Sequence, residues 1–170
     1  MMKNKYAILT MLAAGLALTP LAGAQRWSTL GSTCQPGSDS LFYYSNGSSG
    51  SAFEFYPGIV GTIKARCQVY NPLDKGVPTW NTLGAGFIDG DGHGGNAEVQ
   101  VRLVRSYKGS GKANIIATLD SDSYTTDKPT FKTVPFTHTF DFVNYDYFVT
   151  IELNRTDDTI DVGVWNATIK

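Results

Sequence analysis

Residues 59–70 alternate strictly between apolar and polar: Ile59, Gly61, Ile63, Ala65, Cys67 and Val69 fall on one side, Thr62, Lys64, Arg66 and Gln68 on the other. A period of two predicts a half-buried β-strand, because successive side chains of an extended chain point to opposite faces. The same period recurs in Ala97, Val99, Val101 and Leu103 against Glu98, Gln100 and Arg102, and in Tyr145, Tyr147, Val149, Ile151 and Leu153 against Asp146, Thr150 and Glu152. Further strands are predicted at 26–31, 41–44, 52–56, 84–89, 113–119, 134–142 and 159–169, where β-branched and aromatic residues concentrate. Turn-forming runs separate them: Gly47-Ser48-Ser49-Gly50, Asn71-Pro72, Gly90 to Gly95, Gly109-Ser110-Gly111 and Asp157-Asp158.

After residue 24 no window carries a sustained helical stripe of apolar residues at i, i+3, i+4 and i+7. Short strands of even spacing with one polar face predict an all-β fold: a two-sheet antiparallel β-sandwich, of which the jelly-roll is one form. The stretch 71–83, with two prolines and Trp80, reads as an ordered crossover between sheets.

The first 24 residues follow different rules. Lys3 and Lys5 precede an apolar run from Tyr6 to Leu21, and Ala22-Gly23-Ala24 follows it. That order is the order of a signal peptide cut after Ala24, with an apolar run too short for a secure bilayer span. The expected organisation is therefore a signal peptide at 1–24 and one domain at 25–170, secreted or periplasmic. No later stretch approaches the roughly 20 apolar residues of a span, so no membrane span is expected in the mature chain.

Export changes the reading of the two cysteines. In an oxidising compartment Cys34 and Cys67, an even pair, are expected to form a disulfide. It also changes the charge: without the leader the chain carries twelve basic and fifteen acidic residues. No basic excess or stripe remains, so nucleic acid is not an expected partner. Of the acids, twelve are Asp and three Glu, a bias that suits a turn-rich chain, since Asp caps its own backbone in tight turns.

The segment Asp89-Gly90-Asp91-Gly92-His93-Gly94-Gly95-Asn96 is the leading candidate for chemistry. Two carboxylates two residues apart, with glycines around them, match in part the opening of a calcium loop. Asp89, Asp91 and Asn96 are thus the candidate metal ligands and calcium the candidate cofactor, although His93, a poor calcium ligand, holds the third ligand position and Gln100 stands where a bidentate Glu would be expected. With only His93 and His138 a three-histidine metal site is excluded, and His138, alternating with Phe136, Phe140 and Phe142, reads as a hydrogen-bonded core histidine. No G-x-S-x-G elbow or complete phosphate loop is present. No catalytic residue is assigned.

Among the aromatics, adjacent rings on one strand must face opposite ways, so one of Tyr43 and Tyr44, and one of Tyr147 and Phe148, should point outward. Tyr44, Trp80 and Phe148 are the candidate ligand-binding rings, since an exposed plane is a platform for a sugar or a protein. Asn46, Asn154 and Asn166 open glycosylation sequons, which matter only in a source that glycosylates its exports.

The short leader, the early Cys34, the strand Gly58-Ile59-Val60 through Ala65-Arg66-Cys67, and the closing pair 145–153 and 159–169 together resemble small exported bacterial β-sandwich proteins of uncharacterised function. The resemblance implies location and fold, and it assigns no residue a role. The leading functional expectation is a non-catalytic binding, structural or assembly module of the cell envelope or extracellular space. Its partner would be an envelope or extracellular protein, a glycan or a second copy of itself. The first alternative is a calcium-assisted carbohydrate-binding module using Asp89, Asp91 and the outward rings. The second is a glycoside hydrolase using Glu98 and Glu152, which fall on the polar faces of two strands.

Overall fold

A computed structural model describes residues 25–40, 44, 45, 50–73 and 76–170. The expected leader at 1–24, the predicted strand residues 41–43, and Asn46 to Ser49 lie outside the described residues. Two antiparallel sheets pack face to face. One holds β1 (Trp27–Leu30), β3 (Tyr44–Ser45), β4 (Phe53–Phe55), β6 (Thr82–Asp89), β9 (Thr130–Pro135) and β11 (Val162–Ile169), in the order β3-β4-β11-β6-β9 with β1 also pairing β11. The other holds β2 (Gln35–Pro36), β5 (Gly61–Val69), β7 (Ala97–Tyr107), β8 (Ala113–Asp120) and β10 (Tyr145–Arg155), in the order β2-β5-β10-β7-β8. Among the described residues no helix is long and apolar enough to cross a membrane.

The three strictly alternating segments form the middle of the five-stranded sheet. Ile63, Ala65, Cys67 and Val69 of β5, Val99, Val101 and Leu103 of β7, and Tyr147, Val149, Ile151 and Leu153 of β10 are all buried. They meet Leu83, Ala85 and Phe87 of β6 and Val162, Val164, Ala167 and Ile169 of β11 in a continuous core. Burying a large aliphatic side chain contributes about 1.5–3 kcal/mol, so this apolar layer is the main source of stability. Arg155 ends β10 on the inward side: its guanidinium lies 4.7 Å over the Phe55 ring and Nε donates to the Ile59 carbonyl at 2.8 Å.

The chain passes from one sheet to the other immediately after β1, through a 3₁₀ turn at Gly31–Thr33. Gly31 is obligatory there, because a Cβ would sit 2.1 Å from the Val164 carbonyl oxygen. The expected disulfide follows: Cys34 and Cys67 are bonded, both buried, with their Cα atoms 4.5 Å apart. The bridge seats Gln35 and Pro36 along the edge of β5, a two-residue strand that the alternation pattern does not reveal. Proline suits that edge, where its missing N–H costs no ladder bond.

One predicted strand requires correction. The alternation over 134–142 belongs to two things: β9 ends at Pro135, and Phe136 to Phe142 form no ladder. Their rings plug the end of the sandwich. Phe140 is buried, 5.1 Å from Trp80 and 4.8 Å from Tyr147 between ring centroids, with Phe136 and Phe142 around it. His138 is half-buried in this plug with Nε2 3.1 Å from the Tyr147 hydroxyl; burial, with Arg105 nearby, holds its pKa below the usual imidazole value.

The bridge closes a loop with a sequence separation of 33. In the chain-entropy estimate such a closure is worth about 3–4 kcal/mol. Replacing Cys34 and Cys67 by Ala is expected to lower the unfolding free energy by about that amount, measured by urea denaturation of both proteins. An unchanged urea midpoint would mean that the bridge constrains nothing that the core does not already hold.

Candidate functional site

The outer face of the five-stranded sheet carries a continuous ladder of polar side chains, created by strand register. Lys64 of β5 stands opposite Glu152 of β10, which stands opposite Gln100 of β7, which stands opposite Asp120 of β8. Glu152 accepts from Lys64 Nζ at 3.2 Å and from Arg102 Nη1 at 3.0 Å. Arg102 Nη2 donates to Gln100 Oε1, and Gln100 Nε2 donates to Glu98 and, at 3.1 Å, to Asp120. One row along, Asn154 Nδ2 donates to Glu98 Oε2 at 2.8 Å while its Oδ1 accepts from the Thr62 hydroxyl.

The two ends of this ladder differ in charge. At the β5 end a cavity of about 550 Å³ is lined by Gln35, Gly37 and Ser38 on one wall and by Lys64, Arg66, Arg102, Thr150 and Glu152 on the floor. The wall is held to the sheet by the Gly37 N–H donating to the Lys64 carbonyl at 2.8 Å and the Lys64 N–H donating to Ser40 Oγ at 2.8 Å. Phe148 points outward, as one of the pair with Tyr147 must. Its ring is nevertheless 8% exposed, because the Arg66 guanidinium lies 3.4 Å from the ring centroid.

At the β7–β8 end the carboxylates gather. Oxygens of Glu98, Asp120 and Asp122 lie within 4.8 Å of one another. Asp122 is fixed by the turn after β8, where its N–H donates to Asp120 Oδ1 at 3.1 Å. Behind this group sits Asp89, the last residue of β6, 1% exposed between the two sheets. Ser121 connects it to the other sheet: Oγ accepts from the Val99 N–H at 2.8 Å and donates to Asp89 Oδ2 at 2.5 Å. Three oxygens here, Asp89 Oδ1, Asp91 Oδ1 and Asp122 Oδ1, are buried without a hydrogen-bond partner.

Burial pushes the Asp89 carboxyl up to about 7; the Ser121 hydroxyl opposes the shift and the neighbouring Asp91 carboxylate adds to it. Burial, then the charge of Asp120, also raises Asp122. Uncompensated carboxylates gathered under partial burial are what a hard cation would neutralise, and the donors are all oxygen, the ligand type that calcium takes.

The residues expected to hold a cation lie beside this acidic group. Asp89 and Asp91 come together, and Asn96 joins them through its backbone, whose N–H donates to Asp91 Oδ2 at 2.8 Å, while its side-chain Oδ1 is turned away and accepts from Thr156 Oγ1 at 3.1 Å. Gly94 allows the arrangement, since a Cβ there would fall 1.9 Å from Asp91 Oδ2. Asp120 and Asp122 are the members that sequence reasoning missed. Their one sequence signal was two further aspartates, spaced as in Asp89-x-Asp91, after a predicted strand.

Of the candidate rings, Trp80 is corrected from platform to core. It is 2% exposed, packed on Phe140, with its indole N–H donating to the Gln25 carbonyl. Phe148 serves as the base for Arg66, and the Tyr44 side chain lies outside the described residues. Glu98 and Glu152 sit diagonally on neighbouring strands, each with both oxygens already accepting from neighbours.

Asp89 makes the stability of the metal-free protein depend on pH. Its carboxyl binds a proton more tightly in the folded state than at the ordinary value of 3.8, so its contribution is fully present below that value and is lost as pH rises through about 7. Relative to Asp89→Asn, the protein in EDTA is expected to lose about 3 kcal/mol of unfolding free energy between pH 5 and pH 8. Urea denaturation at both pH values measures it; a difference that stays constant would show that Asp89 is ionised throughout.

No family model matches the chain, and no curated protein matches it in sequence. Solved structures share its architecture. A family 36 carbohydrate-binding module, solved in complex with calcium and xylotriose, aligns with a TM-score of 0.51 at 14% identity, covering 85% of this chain and 99% of that one. A xylan-binding module of family 15 aligns with a TM-score of 0.50 at 13% identity, covering 86% of this chain and 96% of that one. At such identities the likeness establishes the two-sheet β-sandwich and nothing finer.

Proposed function

We propose that this protein is a carbohydrate-binding module, non-catalytic, that lays a glycan along the outer face of the five-stranded sheet and uses a calcium ion at the acidic end of that face. The observation that carries the reading is the coincidence on one surface of a walled groove lined with hydrogen-bonding side chains and an oxygen-only cluster, Glu98, Asp120 and Asp122, in which Asp122 Oδ1 is buried without a partner. The calcium and xylotriose bound by the family 36 module of similar architecture support the same reading.

In this reading Glu98, Asp120 and Asp122 hold the cation and Asp89 and Asp91 supply negative charge behind it. A bound cation would supply a positive centre able to accept oxygen ligands. The chain's own residues do the rest. Gln35, Ser38 and Thr150 offer amide and hydroxyl groups to sugar hydroxyls, Pro36 and the stem of Arg66 offer apolar surface, and the disulfide keeps the wall in place. The hydrolase alternative receives less support, because Glu152 is neutralised by two cations and Glu98 is held by two amide donors, which leaves neither as a free acid or nucleophile. The leader at 1–24 fits the same reading, as the signal that would take the module to extracellular glycans.

Two measurements test this. Calcium is expected to raise the melting temperature of the protein, and the double variant Glu98→Gln with Asp122→Asn is expected to bind calcium at least tenfold more weakly while folding normally in EDTA. On a glycan array the protein is expected to retain at least one polysaccharide, with at least tenfold weaker retention in EDTA. An array with no retained glycan, with and without calcium, would reject the module.

A further inference from the structure

We infer that the groove selects an acidic glycan, one bearing uronate carboxylates, and that Arg66 is the residue that reads the carboxylate. The inference rests on the carbohydrate-binding reading and names its substrate class.

The groove is electrostatically unlike the rest of the chain. The whole sequence carries a formal charge of −1, yet the groove is lined by three cations, Lys64, Arg66 and Arg102, against a single acid, Glu152. Glu152 is shared between Lys64 and Arg102, so one carboxylate offsets two cations. Arg66 has no acidic partner within ion-pair distance among the described residues, and its guanidinium makes no hydrogen bond to a described residue. It is exposed, and its guanidinium lies on the face of Phe148 at 3.4 Å.

Stacking of this kind holds the flat face of the guanidinium against the ring and leaves the N–H groups at its edge free. A guanidinium edge presents paired donors whose spacing matches the two oxygens of a carboxylate, so a planar carboxylate is bound bidentately. The position is fixed from below by Phe148, which the strand register places beside it: Arg66 stands opposite Thr150 on β10, and Phe148 is the next outward residue of that strand. On its other side Arg66 stands opposite Gln35 of the wall. The free edge is thereby flanked by a hydroxyl and an amide, which suits a sugar carrying its carboxylate among neutral hydroxyls. Arg102 lies beyond Thr150 in the same row, its Cα two strand spacings or about 10 Å from that of Arg66, and adds positive potential along the path of an extended chain.

The test uses galacturonate oligomers, hyaluronan oligomers and glucuronoxylan, each against the same glycan after its carboxyl groups have been reduced to alcohols, by calorimetry in low salt. At least one uronate glycan is expected to bind at least tenfold more tightly than its reduced counterpart, with affinity falling as salt is raised. Arg66→Gln is expected to lose at least tenfold more affinity for that charged glycan than for its reduced form, which loses only the contact with the Arg66 stem, and Arg66→Lys to keep part of the preference, because it keeps the charge without the fork. Both variants uncover part of the Phe148 ring, so their melting temperatures are measured alongside, and each is expected to unfold in one cooperative transition at a slightly lower temperature than wild type. Equal binding of every charged and reduced pair, or an unaffected Arg66→Gln, overturns the inference and leaves the glycan module standing. Tighter binding of dextran sulfate or polyglutamate than of every uronate glycan overturns it too, because charge alone would then be read. Binding of no glycan, charged or neutral, ends both readings.

Discussion

The Cys34–Cys67 bridge is the constraint on which the rest of this surface depends. It takes a chain that has just left one sheet through the turn at Gly31 and fastens it to the edge of the other. Two ladder residues, Gln35 and Pro36, contribute too few hydrogen bonds to keep a strand in place unaided. With the bridge in place, the following residues reach back to Lys64 through Gly37 and Ser40, and the open edge of β5 becomes one wall of a groove. The same bond protects the edge: a strand already paired, and ending in proline, presents little to another molecule's backbone.

The sequence made the middle of the fold legible and its margins much less so. The β5, β7 and β10 segments read clearly because each has one face in the core and one in water, and that difference is what a period of two records. The segment 134–142 misled for the same reason in reverse. Phe136, His138, Phe140 and Phe142 alternate because alternate rings enter the end of the sandwich, and rings packed as a plug leave the same trace as rings on a strand. Trp80 was equally ambiguous, since nothing local shows whether an indole faces water or Phe140.

The site was harder to read than the fold because its members come from different strands. Lys64, Glu152, Gln100 and Asp120 look like unrelated polar positions until register sets them side by side. Asp89 and Asp91 drew notice through their glycine-rich setting, yet their partner Asp122 lies in a turn 31 residues beyond Asp91 and announces nothing. Asp89, buried at the end of β6, meets Ser121 of the turn that follows β8 in the opposite sheet, a contact that no local pattern encodes.

The ladder itself has one more implication. Lysine, arginine, glutamate and glutamine side chains lose about 1 kcal/mol or more of rotational freedom each when a ligand fixes them. Here Lys64, Glu152, Arg102 and Gln100 already restrain one another, and Arg66 rests on a ring. Much of that ordering therefore belongs to folding, so a ligand settling on this face meets a surface of long charged side chains that behaves mechanically like one of short rigid ones.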